Sequence, residues 1–380
     1  MHVHAELAQQ IVDTCLQVQA GETVWVQSWD HTIDLAADVA LTCRQRGAYP
    51  MITLVPEAYW TRSLQEVPRQ LLEVLPSQEA AAFAQTNVFI FMLGPRRPIE
   101  WAAIPAAKQN LADVWYSGTN PYVARWRTIA RDHTIRILGI EHGLVTPERA
   151  DTLGVPYEAW RDVMLAGCVA NQADITHTAG RLATRLRDGR EVQVQTPAGT
   201  NLHFTLTGRQ PIVGDSIVTK KDAAEGRVKF LPSGFVEVAA DETSAEGTVV
   251  YDVPIPVRGA QISGLTLRFQ RGEVVAYSAE AGMTAFESYL QAARGDGKRL
   301  GFFGLGLNSG LRHGFTQDDK VLGGVTIGIG GNADKGGANT TPDNEHWWAS
   351  MTHATVWIDG VRVLTNGALC PVRGEQGGTV

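Results

Sequence analysis

The chain has 380 residues, 44% of them apolar and 19% charged, with 33 Lys and Arg against 40 Asp and Glu for a net charge of −7. That balance is ordinary for a globular protein of two or three domains and excludes a disordered chain. The acidic excess gives no general attraction to a phosphate backbone or an anionic lipid surface, so neither nucleic acid nor a membrane is an expected partner.

The first half alternates helical and extended patterns. Residues 4 to 19 place Leu7, Ile11, Val12, Cys15, Leu16 and Val18 largely on one helical face, and the turn Ala20-Gly21 leads into the alternating run Thr23 to Gln27. A second helix is expected from Asp34 to Arg46, ended by Gly47, and a strand at Pro50 to Leu54. Val88 to Leu93 and Thr134 to Leu138 are further strand candidates, and Asn171 to Arg187 reads as a helix closing this half. Such alternation favours a parallel sheet flanked by helices. From Val192 the chain turns to short alternating strands with turn signals at Thr196 to Thr200, Arg271-Gly272 and Asp359-Gly360, and one helix from Met283 to Ala293. The expected organisation is an α/β domain over residues 1–190 and a strand-rich α+β domain over residues 191–380.

Cys15, Cys43, Cys168 and Cys370 are far apart, without a C-x-x-C pair or a short spacing to histidine, and read as reduced thiols. The start MHVHAELAQQIVDTC is not a basic stretch followed by an apolar run, and no apolar run approaches the ~20 residues of a spanning helix, so a cytoplasmic protein is expected. No G-x-S-x-G elbow surrounds Ser233 or Ser309, and Cys168 lies in an apolar helical stretch. Gly328-Ile329-Gly330-Gly331-Asn332-Ala333 fits a G-x-G-x-x-A pattern, but Asp334-Lys335-Gly336-Gly337 is a poor helix start. The pattern reads as a loop that needs a positive φ.

Polar chemistry concentrates between residues 300 and 360, where His313, Asp318, Asp319, Lys320, Asp334, Lys335, Asp343, Glu345, His346 and His353 stand among glycines and aromatics. A solvated hairpin would have this composition, and so would a site on loops held by a scaffold, with Phe302, Phe303, Trp347 and Trp348 as walls.

Several ordered blocks carry a family resemblance: Thr196-Pro197-Ala198-Gly199-Thr200-Asn201-Leu202, Leu231-Pro232-Ser233-Gly234, Glu246-Gly247-Thr248-Val249, Gly304 to Asn308, Asp319-Lys320-x-x-Gly323, Gly336-Gly337-Ala338-Asn339 and Val356 to Gly360. Together they resemble the aminopeptidase T family of metallopeptidases, and more closely its shorter relatives, which include the 2,5-dihydroxypyridine ring-opening dioxygenases. The resemblance implies an aminopeptidase T-like fold and a homodimer. It also implies metal ligands, and there this chain departs from it. The family's Glu after the Pro-x-Gly turn is Phe235, and its second acidic ligand, a His in the dioxygenases, is Phe302. The His of the next strand is Thr326, the following Tyr is Ala333, and of a final His-x-Asp pair His346 survives while the Asp is Trp348.

Neither Phe nor Trp offers a lone pair suited to a catalytic ion, so no metal and no cofactor are expected. The expected function is that of a repurposed, metal-independent enzyme or binding protein for a small amide, peptide or aromatic ligand, held in an inter-domain aromatic cavity by Phe235, Phe302, Thr326, Trp347 and Trp348. His346 is the candidate acid or base, with Asp343 or Glu345 to orient it. Two alternatives stay open. Glu237, with Asp318 or Asp319, Asp343, Glu345 and His346, could form a displaced metal site for peptide or amide hydrolysis. The chain could also be a non-catalytic peptide-binding or interaction protein.

Overall fold

The computed structural model describes residues 4–112, 120–257, 260–342 and 345–371. The chain divides into two units, residues 1–172 with 216–232, and residues 173–215 with 233–380.

In the first unit the expected parallel sheet is present. Strands β1 (Thr23–Trp29), β2 (Tyr49–Val55), β3 (Val88–Met92) and β4 (Arg136–Ile140) are joined by the strand Val228–Leu231, in the order β2, β1, β3, β4, Val228–Leu231, with every pair parallel. β3 is buried at every residue, as a parallel strand covered on both faces must be. One face packs Val24, Val26, Ile90 and Leu138 under Leu7, Ile11, Leu35 and Val39 of the first helices. The other packs Trp25, Phe89, Phe91 and Ile137 against Phe83, Trp126 and Ile129. β4 starts two residues later than its apolar pattern implies, because Thr134 has φ +51° in the turn that ends the preceding helix.

The single boundary expected at residue 190 is replaced by three crossings, at 172/173, 215/216 and 232/233. The helix Gln172–Asp188 packs Ala179, Leu182 and Leu186 into the core of the second unit, while residues 216–232 return to the first and pair with β4. Lys220 and Lys221 open a short helix whose start is a Thr219–Asp222 capping box.

The second unit contains an eight-stranded and a five-stranded sheet that share one hydrophobic core. The eight-stranded sheet supplies Val192, Val194, Leu202, Phe204, Val249, Leu267, Val356 and Ile358. The five-stranded sheet runs in the order His346–Met351, Val325–Gly330, Leu300–Gly306, Phe235–Ala239, Ile212–Gly214, with all pairs antiparallel. Side chains alternate between the faces of a strand. Val236, Val238, Phe303, Leu305, Ile327, Ile329, Ala349 and Met351 therefore form the core face. Among the described residues no helix is long and apolar enough to cross a membrane.

The loop after Gly330 shows what the Gly336-Gly337-Ala338-Asn339 block does. Gly330 has φ +89°, and the chain continues into a short 3-10 turn, Ala333–Lys335, rather than a phosphate-binding helix. Asn332 is fully buried and donates from Nδ2 to Glu242 Oε1 and to the Gly301 carbonyl, each at 3.0 Å. Asn339 donates to the carbonyls of Leu300 and Gly330 at 3.0 and 2.7 Å. Gly337 lies so close that a Cβ there would fall 2.0 Å from Asn332 Cγ. Gly337→Ala is therefore expected to destabilise the fold by about 1–3 kcal/mol in urea denaturation, as overpacking does, while Gly336→Ala acts only through its positive φ.

Candidate functional site

The face of the five-stranded sheet opposite the core is the candidate site. Register and alternation put Phe235 and Glu237, Phe302 and Gly304, Thr326 and Gly328, and His346, Trp348 and Ser350 on it together. Glycines make room there. A Cβ on Gly214 or Gly328 would fall 2.1 Å from the ring of Phe235 or of Phe302, so each phenylalanine lies directly over a neighbouring strand's backbone. A Cβ on Gly304 would stand 3.1 Å from Glu237 Cγ.

Phe302 is 2% exposed and is therefore not an open wall. The ammonium of Lys335 stands 4.5 Å from its ring centroid, within cation–π range, and the His346 ring meets its edge at 6.0 Å. The same ammonium is 3.7 Å from Glu237 Oε2 and 2.9 Å from Asp334 Oδ2. Glu237 and Lys335 are both buried. Burial pushes the Glu237 carboxyl up to about 7; Lys335 and Lys320 pull it down, while Asp319 and Asp334 push it further up. A carboxyl whose pKa is raised by burial, on the sheet, and a lysine ammonium, reaching it from the 3-10 turn, therefore lie close together. That combination suits proton transfer with stabilisation of the resulting anion.

Several expected roles do not match this arrangement. Trp347 is on the opposite face, where its ring meets Tyr251 at 5.4 Å and Phe286 at 4.9 Å; it is a core residue, because neighbours in a strand point to opposite sides. Glu345 does not orient His346. It forms an ion pair with Arg294, which holds its carboxyl below the usual range. Asp343 lies outside the described residues. Thr326 is buried and satisfied by a 2.8 Å hydrogen bond with Ser350. Phe235, His346 and Trp348 are half-buried on the site face, beside the pair. Lys335 stood in the polar cluster read from the sequence but was not chosen from it. Its place depends on the Asn332–Asn339 turn, which no short motif announces.

Among the described residues, which leave out Asp343, the displaced metal site does not assemble. Asp318 accepts the Gly314 N–H at 2.9 Å and faces His313 at 3.8 Å, and Glu237 faces an ammonium. Among the described residues no three His, Cys, Asp or Glu side chains form a group able to hold an ion.

With the site's geometry described, comparison with known proteins places the chain. The family model of NicX, 2,5-dihydroxypyridine 5,6-dioxygenase, matches residues 162–371. The chain belongs to this family. Among solved structures it is similar to 2,5-dihydroxypyridine dioxygenase from Pseudomonas putida KT2440, with 16% identity, 98% of each chain covered and a TM-score of 0.61. It is also similar to AmpT from Thermus thermophilus, with 18% identity, 96% of this chain and 98% of the other covered, and a TM-score of 0.65. Those likenesses confirm the aminopeptidase T-like fold: an α/β unit with a parallel sheet and a strand-rich unit. Comparison with curated proteins found no match.

The catalytic metal that the family implies does not fit these side chains. Phe235, Phe302, Thr326, Ala333 and Trp348 stand at the positions carried over as ligands, and the Lys335 ammonium beside Glu237 would repel a second cation.

The Glu237 shift has a signed consequence. In the folded chain the carboxyl titrates at about 7 against 4.5 for the ordinary group, so the folded state holds more protons between those values. Its contribution to stability is full below about pH 4.5 and is lost as pH rises through 7. Urea denaturation at pH 5 and at pH 8 should show stability falling by on the order of 1–3 kcal/mol from this group, and Glu237→Gln should flatten that difference.

Proposed function

We propose that the chain binds a small planar ring compound or amide against the glycine-rich face of the five-stranded sheet and moves a proton on it without a metal. The observation that carries this reading is the Glu237–Lys335 pair lying on the Phe302 ring. Glu237 is the acid and base. It accepts a proton from an O–H, N–H or activated C–H of the ligand, the electron pair stays on the ligand as an anion, and the Lys335 ammonium stabilises that anion in a low-dielectric setting. Return of the proton to another ligand atom completes a tautomerisation; in amide cleavage Glu237 would instead take the proton of a water whose oxygen bonds to the carbonyl carbon, and pass it to the nitrogen as the C–N bond breaks. His346 and Trp348, half-buried on the same face, bound the ring.

The family's description supports the ligand class. A dihydroxypyridine has ionisable O–H and N–H groups and a flat π-face, which a neutral-pH carboxyl, an ammonium and aromatic side chains suit. Among the described residues no group of His, Cys, Asp and Glu able to hold a metal provides for ring opening with oxygen.

Calorimetric titration with 2,5-dihydroxypyridine, performed without oxygen and in EDTA, is expected to give saturable binding that Lys335→Met weakens about tenfold or more. Exchange of ring hydrogens in deuterated water, followed by NMR, should occur in the parent and stop in Glu237→Gln. Binding that appears only after ferrous or manganous ion is added would refute the reading. Binding without exchange would reduce it to a non-catalytic binding protein.

A further inference from the structure

The parallel sheet has the strand order β2, β1, β3, β4, Val228–Leu231. The connection leaving β1 runs outward to β2, and the connection from β2 returns across the sheet to β3, so the chain reverses between β1 and β3. Open α/β sheets bind ligands beyond the carboxyl ends of the strands at such a reversal, where two loops diverge and leave a crevice.

This crevice is built rather than merely left over. Asp30, just past β1, accepts the Glu57 N–H at 2.7 Å. Glu57, just past β2, accepts the Arg96 and Arg97 N–H groups at 3.0 and 3.3 Å, and these lie just past β3. Three strand ends are thus stitched by two carboxylates. Arg149 adds hydrogen bonds to the carbonyls of Pro95 and Arg97, and Thr146 one to that of Arg96. Trp60 meets Trp29 edge-on at 5.5 Å, and the Trp29 indole donates to the Met92 carbonyl at 3.0 Å.

The segments past β2 and β3 line a partly open cavity of about 150 Å³, with Glu57, Trp60, Pro95, Arg97, Ile99 and Ile104 among its walls. Its apolar wall is an indole with aliphatic and prolyl side chains. At its margin the Arg97 guanidinium is exposed and makes no hydrogen bond or ion pair among the described residues, whereas Arg96 is paired with Glu148. Glu57 places both oxygens on backbone N–H groups rather than on this guanidinium.

We infer that this crevice binds a small monocarboxylate with a ring or branched apolar body, its carboxylate on Arg97 and its body against Trp60. Arg presents a planar fork that matches a carboxylate. Glu57 and Glu100 beside the cavity disfavour a phosphate dianion, and the volume is below the roughly 300–1,000 Å³ of pockets for drug-sized ligands. The inference is independent of the Glu237–Lys335 reading, since the two involve different units of the chain.

Benzoate and benzamide, equal in shape and different in charge, are the probes. In NMR of the indole N–H groups, with Trp60 assigned by Trp60→Phe, benzoate should shift the Trp60 signal saturably and benzamide should bind about tenfold or more weakly. Arg97→Gln should reduce benzoate affinity to the benzamide level while leaving benzamide unchanged, which also shows that the variant is folded. Lys335→Met should leave the benzoate response intact. The absence of a saturable Trp60 shift, or equal benzoate affinity in the parent and Arg97→Gln, would overturn the inference. A response lost in Lys335→Met but not in Arg97→Gln would place the carboxylate on the other site and overturn it as well.

Discussion

The Lys335 ammonium beside the Glu237 carboxyl is the interaction on which the site depends. A charge is costly to bury unless it is paired, and here both partners lie against an aromatic ring on a sheet of glycines and apolar residues. What pays for the pair is its surroundings: Asn332 and Asn339 satisfy the backbone at the start of the loop, Gly337 allows Asn332 to tuck in, and Asp334 gives the ammonium a second partner. These hydrogen bonds satisfy backbone groups that would otherwise be buried without partners, and so favour this path of the loop.

The same geometry explains why the aromatic replacements are tolerated. Phe235 and Phe302 do not fill a vacant ionic cage. They lie over Gly214 and Gly328, where any other residue would meet the ring, so each ring is accommodated by a missing side chain on the adjacent strand. The face keeps one carboxyl beside one lysine ammonium in place of several carboxylates around an ion. Without Glu237 the ammonium keeps Asp334 at 2.9 Å, and without Lys335 the carboxyl is driven further towards its neutral form, so Gln and Met, near in shape to Glu and Lys, are the informative substitutions.

Much of the fold is legible in the sequence, for reasons that differ by element. β3 is strong because a parallel strand buried on both faces is continuously apolar, and β1 because its alternating run follows a turn at Ala20-Gly21. The strand Val228–Leu231 is not legible: it is four residues long and takes its place through parallel pairing with β4, almost a hundred residues earlier. The crossing of the helix Gln172–Asp188 into the second unit is likewise a tertiary choice, set by where Ala179, Leu182 and Leu186 find a core. Within the site, resemblance brought Phe235, Phe302, Thr326, His346 and Trp348 to one face, and the strand register agrees. Trp347 was misplaced although the twofold alternation of a strand separates it from Trp348. Lys335 could be seen only as a member of a polar cluster, since nothing local states that a 3-10 turn folds its ammonium back onto the sheet.

The most direct measurement is the titration of the Glu237 side-chain carboxyl by carbon NMR, in the parent and in Lys335→Met. The account predicts a pKa of about 7 in the parent, from burial outweighing the adjacent ammonium, and a higher value when that ammonium is removed. A carboxyl that titrates near 4.5 in the parent, or that does not respond to loss of Lys335, would contradict it.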